Sequence, residues 1–182
     1  MGHIILTIAG AWSKQPQFDT PFFMAFTEAD PVFTSDFTAL YRKGGALDPE
    51  EIESIRGHRS LLHAAFEVTE PGDRNGVRAA LALMSDAVTS GACGFLVETA
   101  LKAYTPSSIL GLDLNDVRVL FHLFVEIWAD KETARSEGMQ AFALPDIEVF
   151  HADAGEAAAQ GAAFGLAARM VCDRFEPVDG GV

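Results

Sequence analysis

Val117-Arg118-Val119-Leu120-Phe121-His122-Leu123-Phe124-Val125-Glu126-Ile127-Trp128-Ala129-Asp130 is the stretch whose reading decides the fold. Its apolar residues suit either a helix or a strand. Read as extended chain, it sends Phe121, Leu123, Val125, Ile127 and Ala129 to one side and His122, Phe124, Glu126, Trp128 and Asp130 to the other, and this alternation favours a strand. Lys131-Glu132 then reads as a hairpin tip, with 133–142 returning antiparallel. A shorter segment follows at 144–150, where Pro145, having no N–H, restricts it to a sheet edge or a strand start.

Upstream, residues 4–9 are apolar and partly β-branched and end at Gly10, 61–69 alternate around His63 and Glu67, and 92–98 form an apolar run closing on Glu98. Between the last two, Val77, Ala80, Leu81, Met84 and Val88 recur at helical spacing until Gly91. Downstream, Phe164, Ala167, Ala168 and Val171 give a helix an apolar stripe, while Gly and Ala residues make its first half thin enough to lie close to a sheet or another helix. The expected fold is therefore α+β: a two-layer sandwich with a mainly antiparallel sheet built from 4–9, 61–69, 92–98, 118–130 and 133–142, covered on one face by helices 73–90 and 154–174.

A length of 182 residues fits a single domain, 1–182, with an irregular Phe-rich part, 1–57, packed on a core at 58–176. In that part Pro16, Pro21 and Pro31 interrupt a crowd of aromatics, Phe18, Phe22, Phe23, Phe26, Phe33 and Phe37, read as cover for the sheet's second face or for a neighbouring subunit. Asp48-Pro49-Glu50-Glu51 starts a short helix that should stop near Gly57.

Thirteen Lys and Arg against 26 Asp and Glu give a formal charge of −13, which argues against nucleic acid and anionic membranes as partners, since both are bound through Lys and Arg. No apolar run is long enough to span a bilayer, and the N-terminus lacks the basic flank of a signal peptide. Cys93 and Cys172 lie in apolar surroundings and read as buried free thiols, consistent with a cytoplasmic protein.

Gly138-Met139-x-x-Phe142-x-Leu144-Pro145-Asp146-Ile147-Glu148-Val149 resembles a pattern near the C-terminus of several bacterial families known only as domains of unknown function. The resemblance rests on Gly138, Met139, Phe142, Pro145, Asp146 and Glu148, and it implies a bacterial protein with no assigned activity, cofactor or catalytic residue. Ala143 departs from the pattern, which has Gly there, so the backbone at that position need not adopt a positive φ. Physically, Pro145 would fix a turn, Ile147 anchor it and Gly138 allow a bend; Asp146 and Glu148 would act as acid and base only if burial raised one pKa.

Two His-x-x-x-Glu pairs carry the remaining chemistry, His63 with Glu67 and His122 with Glu126. Residues four apart on a strand share a face, so neighbouring strands would bring these four groups together, with Glu98 joining from a strand end. That candidate pocket, His63, Glu67, Glu98, His122 and Glu126, suits a small ligand better than a metal, because zinc needs three or four ligands in fixed geometry. Glu98, Lys102 and Tyr104 read as a salt-bridged loop. No nucleophile elbow, phosphate loop or dinucleotide fingerprint is present, so no cofactor is specified. Two function classes remain: a non-enzymatic domain binding a protein or small ligand, whose open sheet face would also serve a homodimer, and a hydrolase or metal-dependent enzyme using the His/Glu face.

Overall fold

The computed structural model describes residues 2–18, 23–41, 47–113, 115–150 and 155–173. They form an α+β fold in which strand β1 (Gly2–Gly10) runs through the middle of a five-stranded antiparallel sheet. The other strands are β2 (Phe23–Glu28), β3 (Ser60–Val68), β4 (Ala92–Val97) and β5 (Lys102–Tyr104), in the spatial order β2-β3-β1-β4-β5. Ile4, Leu6 and Ile8 of β1 are fully buried on one face of this sheet with Leu62, Phe66, Phe95 and Val97. Helix α3 (Asn75–Thr89) covers that face with Val77, Ala80, Leu81 and Met84. Each large side chain so buried contributes roughly 1.5–3 kcal/mol. Arg74, just before α3, opposes the helix dipole, and its guanidinium instead donates to the carbonyls of Val171 and Cys172 at 3.0 and 3.1 Å.

The second face is covered at one end by α1 (Pro31–Tyr41) and α2 (Pro49–Arg56), which bury Phe33, Phe37 and Ile55 against Ala9, Leu61, Cys93 and Leu96. Of the Phe-rich part, Phe33 and Phe37 of α1 cover this face, while Phe23 and Phe26 lie in β2, a strand of the sheet itself, with Phe18 and Phe26 packing on the α3 side; Phe22 lies outside the described residues. Phe37 lies so close to Gly94 of β4 that a β-carbon there would sit 3.0 Å from its ring. Asp48 caps α2 by accepting from Glu50 N at 2.8 Å, and Glu51 completes a capping box, as its sequence required.

The expectation of one strand through 117–130 is overturned. Residues Val117–Phe124 form helix α5, and β6 (Glu126–Ala129) begins after Val125 turns to φ −128°, ψ 133°. Helix α4 (Pro106–Ile109) precedes it. Asp116 starts α5 by accepting from Arg118 N at 2.9 Å, and the helix buries Leu120, Phe121, Leu123 and Phe124 while Arg118 and His122, four apart, face outward. A spacing of four fits two pleats of a strand and about one turn of a helix, which is why alternation misled.

Nor do the later strands extend the first sheet. β6 pairs antiparallel with β7 (Thr133–Glu137), and β7 with β8 (Glu148–Phe150), as a separate three-stranded sheet. The hairpin tip falls at Lys131-Glu132 as its sequence implied, with Asp130 Oδ1 accepting from the N–H groups of Glu132 and Thr133 at 2.9 Å. Helix α6 (Glu156–Cys172) lays its thin half on this sheet, Ala159 and Ala163 against Ala134, and its second half enters the main core with Ala167, Met170 and Val171.

The segment 133–142 is extended only to Glu137. Met139–Phe142 form a single tight helical turn entered through Gly138 at φ 100° and left through Ala143 at φ 53°. A positive φ does occur at Ala143, although the residue is not glycine, held by Ala143 N donating to Gln140 O at 3.0 Å. Among the described residues no helix is long and apolar enough to cross a membrane.

Candidate functional site

The five pocket residues read from the sequence do not converge. Side chains on β3 alternate between the sheet's faces, and His63 and Glu67 point to the face partly covered by α1 and α2. Lys102 and Tyr104 of β5 point to the opposite face, toward the end of α5, where His122 and Glu126 lie. His63 and Glu98 meet in one place and His122 and Glu126 in another, while Glu67 is exposed and paired in register with His3. Among the described residues no three His, Cys, Asp or Glu side chains gather in a way that could hold a metal ion.

The first place is a row of polar side chains across four neighbouring segments. Thr7, buried in the apolar strand β1, donates its hydroxyl to Glu98 Oε1 and lies 2.9 Å from His63 Nδ1. A hydroxyl has one hydrogen, and here the carboxylate takes it, so Nδ1 must carry the proton donated to Thr7. Neutral His63 then has a bare Nε2, which accepts from the hydroxyl of Thr27, 3.2 Å away on the edge strand β2. The proton order runs in one direction, from Thr27 through His63 and Thr7 to Glu98.

The second place is a cavity of about 370 Å³ at the β5 edge of the sheet, between α1 from one face and α5 from the other. Leu40, Tyr41, Leu101, Tyr104 and Trp128 give it apolar and aromatic walls; Lys102, His122, Glu126 and Ser108 supply polar groups. The free carbonyls at the end of α5 organise these. Lys102 Nζ donates to His122 O at 2.6 Å and Val125 O at 2.7 Å and pairs with Glu126 at 3.0 Å. The Tyr104 phenol shares its one hydrogen between the carbonyls of His122 and Leu123, 3.2 and 3.0 Å away. Burial, reinforced by the Glu126 carboxylate, pushes the Tyr104 phenol well above its ordinary value, so it remains a donor. On its outer side the His122 ring packs tilted against Phe164 of α6, ring centres 5.7 Å apart.

The C-terminal motif holds structure together. Gly138 approaches the carbonyl oxygen of Phe124 too closely for any β-carbon, and Met139 and Phe142 are fully buried. Asp146 accepts from Met139 N at 3.1 Å and from the Ser136 hydroxyl at 3.2 Å, and Ser136 in turn accepts from Ile147 N at 2.8 Å. Pro145 leads into the edge strand β8, where Glu148 is exposed beside Arg135 in register, so Asp146 and Glu148 do not act as a pair.

Thr7 and Thr27 were not singled out in the sequence. The signal for Thr7 is a hydroxyl within Ile-Leu-Thr-Ile, a strand otherwise fit only for burial; its partner becomes visible only through the register that sets Thr7 opposite His63. No family model, curated protein or solved structure matches the chain.

Proposed function

We propose that this chain binds a small organic ligand, without transforming it, in the cavity between α1, β5, α5 and β6. What carries the reading is that the cavity's ammonium and phenol are already held in place: Lys102 by two carbonyls and Glu126, Tyr104 by two carbonyls. A tethered ammonium and a phenol kept protonated are poor bases and nucleophiles but good fixed walls, and preorganised polar groups beside aromatic surface are what ligand recognition needs. Tyr41 and Trp128 offer flat faces for an unsaturated or ring-containing ligand, and Glu126 and His122 offer hydrogen bonds at one end. The two free thiols, Cys93 and Cys172, support a cytoplasmic setting.

The test is native mass spectrometry of gently purified protein, followed by a ligand screen read by thermal shift. Ser108→Trp, at an exposed position on the cavity wall, should abolish binding while leaving the melting temperature of the free protein within about 2 °C. Ligands that bind this variant as well as the natural chain would remove the cavity from consideration.

A further inference from the structure

We propose that Thr27, His63, Thr7 and Glu98 form an acyl-transfer site on the second face of the five-stranded sheet, with Thr27 as nucleophile toward a neutral carboxylic ester. This goes beyond the binding reading and involves none of the cavity residues, so either can fail without the other.

The geometry has the three parts that activate a hydroxyl: a nucleophile within reach of a base, the base in the correct tautomer, and a third group holding it there. Thr27 Oγ1 lies 3.2 Å from His63 Nε2, and Thr27 is exposed, so a substrate carbonyl can approach. Because Thr7 gives its only hydrogen to Glu98, the neutral form of His63 presents its unprotonated nitrogen to Thr27. Thr7 and Glu98 are positioning residues: they fix the tautomer and carry negative charge toward the imidazolium that forms when His63 takes a proton.

Thr27 Oγ1 bonds to the ester carbonyl carbon as its proton passes to His63 Nε2, and the bond to the leaving alcohol breaks as that proton moves to the alkoxide. Water then adds to the acyl group, its proton passing to Nε2 and on to Thr27 Oγ1 as the carboxylic acid leaves. The surroundings select the substrate class. Phe23, 72% exposed, together with Ala25, Ala65 and Ile5, makes an apolar strip along the same face beside Thr27 and His63. An acyl chain fits that strip, and a chain of net charge −13 disfavours phosphate esters and other anions.

The test uses the full chain with a fluorophosphonate probe, followed by peptide mapping, and with p-nitrophenyl esters of short fatty acids. One adduct on Thr27 is expected. Its rate should fall at least ~100-fold in His63→Gln, which retains hydrogen-bonding capacity without a base. Thr7→Val should slow labelling and Thr7→Ser should restore it, a rescue that a merely structural role for the methyl group would not give. Thr27→Ser should label and turn over ester, whereas Thr27→Ala should do neither while melting like the natural chain. Absence of a Thr27 adduct in the natural chain, or an unchanged rate in folded His63→Gln, overturns the proposal.

Discussion

Lys102→Met isolates what holds the end of α5 against β5. The Lys102 side chain is 18% exposed, and its ammonium makes two donated bonds to the His122 and Val125 carbonyls as well as an ion pair with Glu126. Both carbonyls lose a charged donor; His122 O still accepts from Tyr104, so Val125 O is the one the substitution orphans. Hydrogen bonds to charged groups contribute about 1.5–3 kcal/mol and an orphaned carbonyl costs about 1–3 kcal/mol. The Glu126 pair, partly open to solvent, adds only about 0–1 kcal/mol after screening. Methionine fills the same space and spares the burial cost of the ammonium, which offsets part of the loss. A net destabilisation of about 2–3 kcal/mol follows, a drop of roughly 5–10 °C in melting temperature for a chain of this size. Urea unfolding followed by circular dichroism measures it, with Glu126→Gln as the control expected to cost under about 1 kcal/mol. A loss below about 1 kcal/mol for Lys102→Met, with an unchanged urea slope, would mean that water satisfies these carbonyls and that Lys102 is not the clamp.

Further expectations concern the C-terminal turn and the response to alkali. Gly138→Ala combines φ 100° with a β-carbon driven into the Phe124 carbonyl, and should cost about 3 kcal/mol or more in the same unfolding assay. Ala143→Gly should do the reverse: relieving a left-handed alanine returns about 1–2 kcal/mol, of which the freer unfolded chain removes about 0.4–1 kcal/mol, so the urea midpoint should rise slightly. Asp146→Ala removes the acceptor for Met139 N and the Ser136 hydroxyl and should lower stability by roughly 1–3 kcal/mol without changing ligand binding in the cavity. Burial raises the Cys93 thiol from 9.0 to about 11 and raises the Tyr104 phenol above 10.0. Both groups therefore ionise first in the unfolded chain, so the stability linked to them is intact below about pH 9 and declines as pH rises toward 11. Cys93→Ala should flatten the lower part of that decline and Tyr104→Phe the upper part.

The three central strands of the first sheet were legible because they carry their instructions locally, whereas the edge strands β2 and β5 lie in stretches read as irregular chain and as a salt-bridged loop. Residues 4–9, 61–69 and 92–98 are apolar or alternating runs bounded by turns, and each became β1, β3 or β4. Helix α3 was equally plain from its stripe, and α2 from Asp48-Pro49 and Glu51. The run 117–130 failed because its outward residues, Arg118, His122 and Glu126, stand four apart, a spacing common to both periods. What settles it is the Asp116 cap, a single hydrogen bond that favours helix over the first eight residues, and tertiary burial that needs Leu120, Phe121, Leu123 and Phe124 on one side. A reading based on alternation gives that cap no weight.

The candidate site was half legible for a related reason. His122 and Glu126 do line one cavity, but they do so across a helix-to-strand junction, with Lys102 between them, and not on a strand face. His63 and Glu98 also belong together, yet neither touches the other: Thr7 joins them. A search for acids and bases overlooks a threonine, because its hydroxyl does not titrate. In this row the hydroxyl decides the chemistry, since giving its one hydrogen to Glu98 leaves His63 a single neutral tautomer and directs the bare nitrogen toward Thr27. Replace Thr7 with valine and His63 is free to turn over its tautomers; keep a serine there and the order of protons survives. The direction of proton donation along the row, rather than the count of His and Glu on the face, is what separates a site able to activate a hydroxyl from an ordinary polar patch.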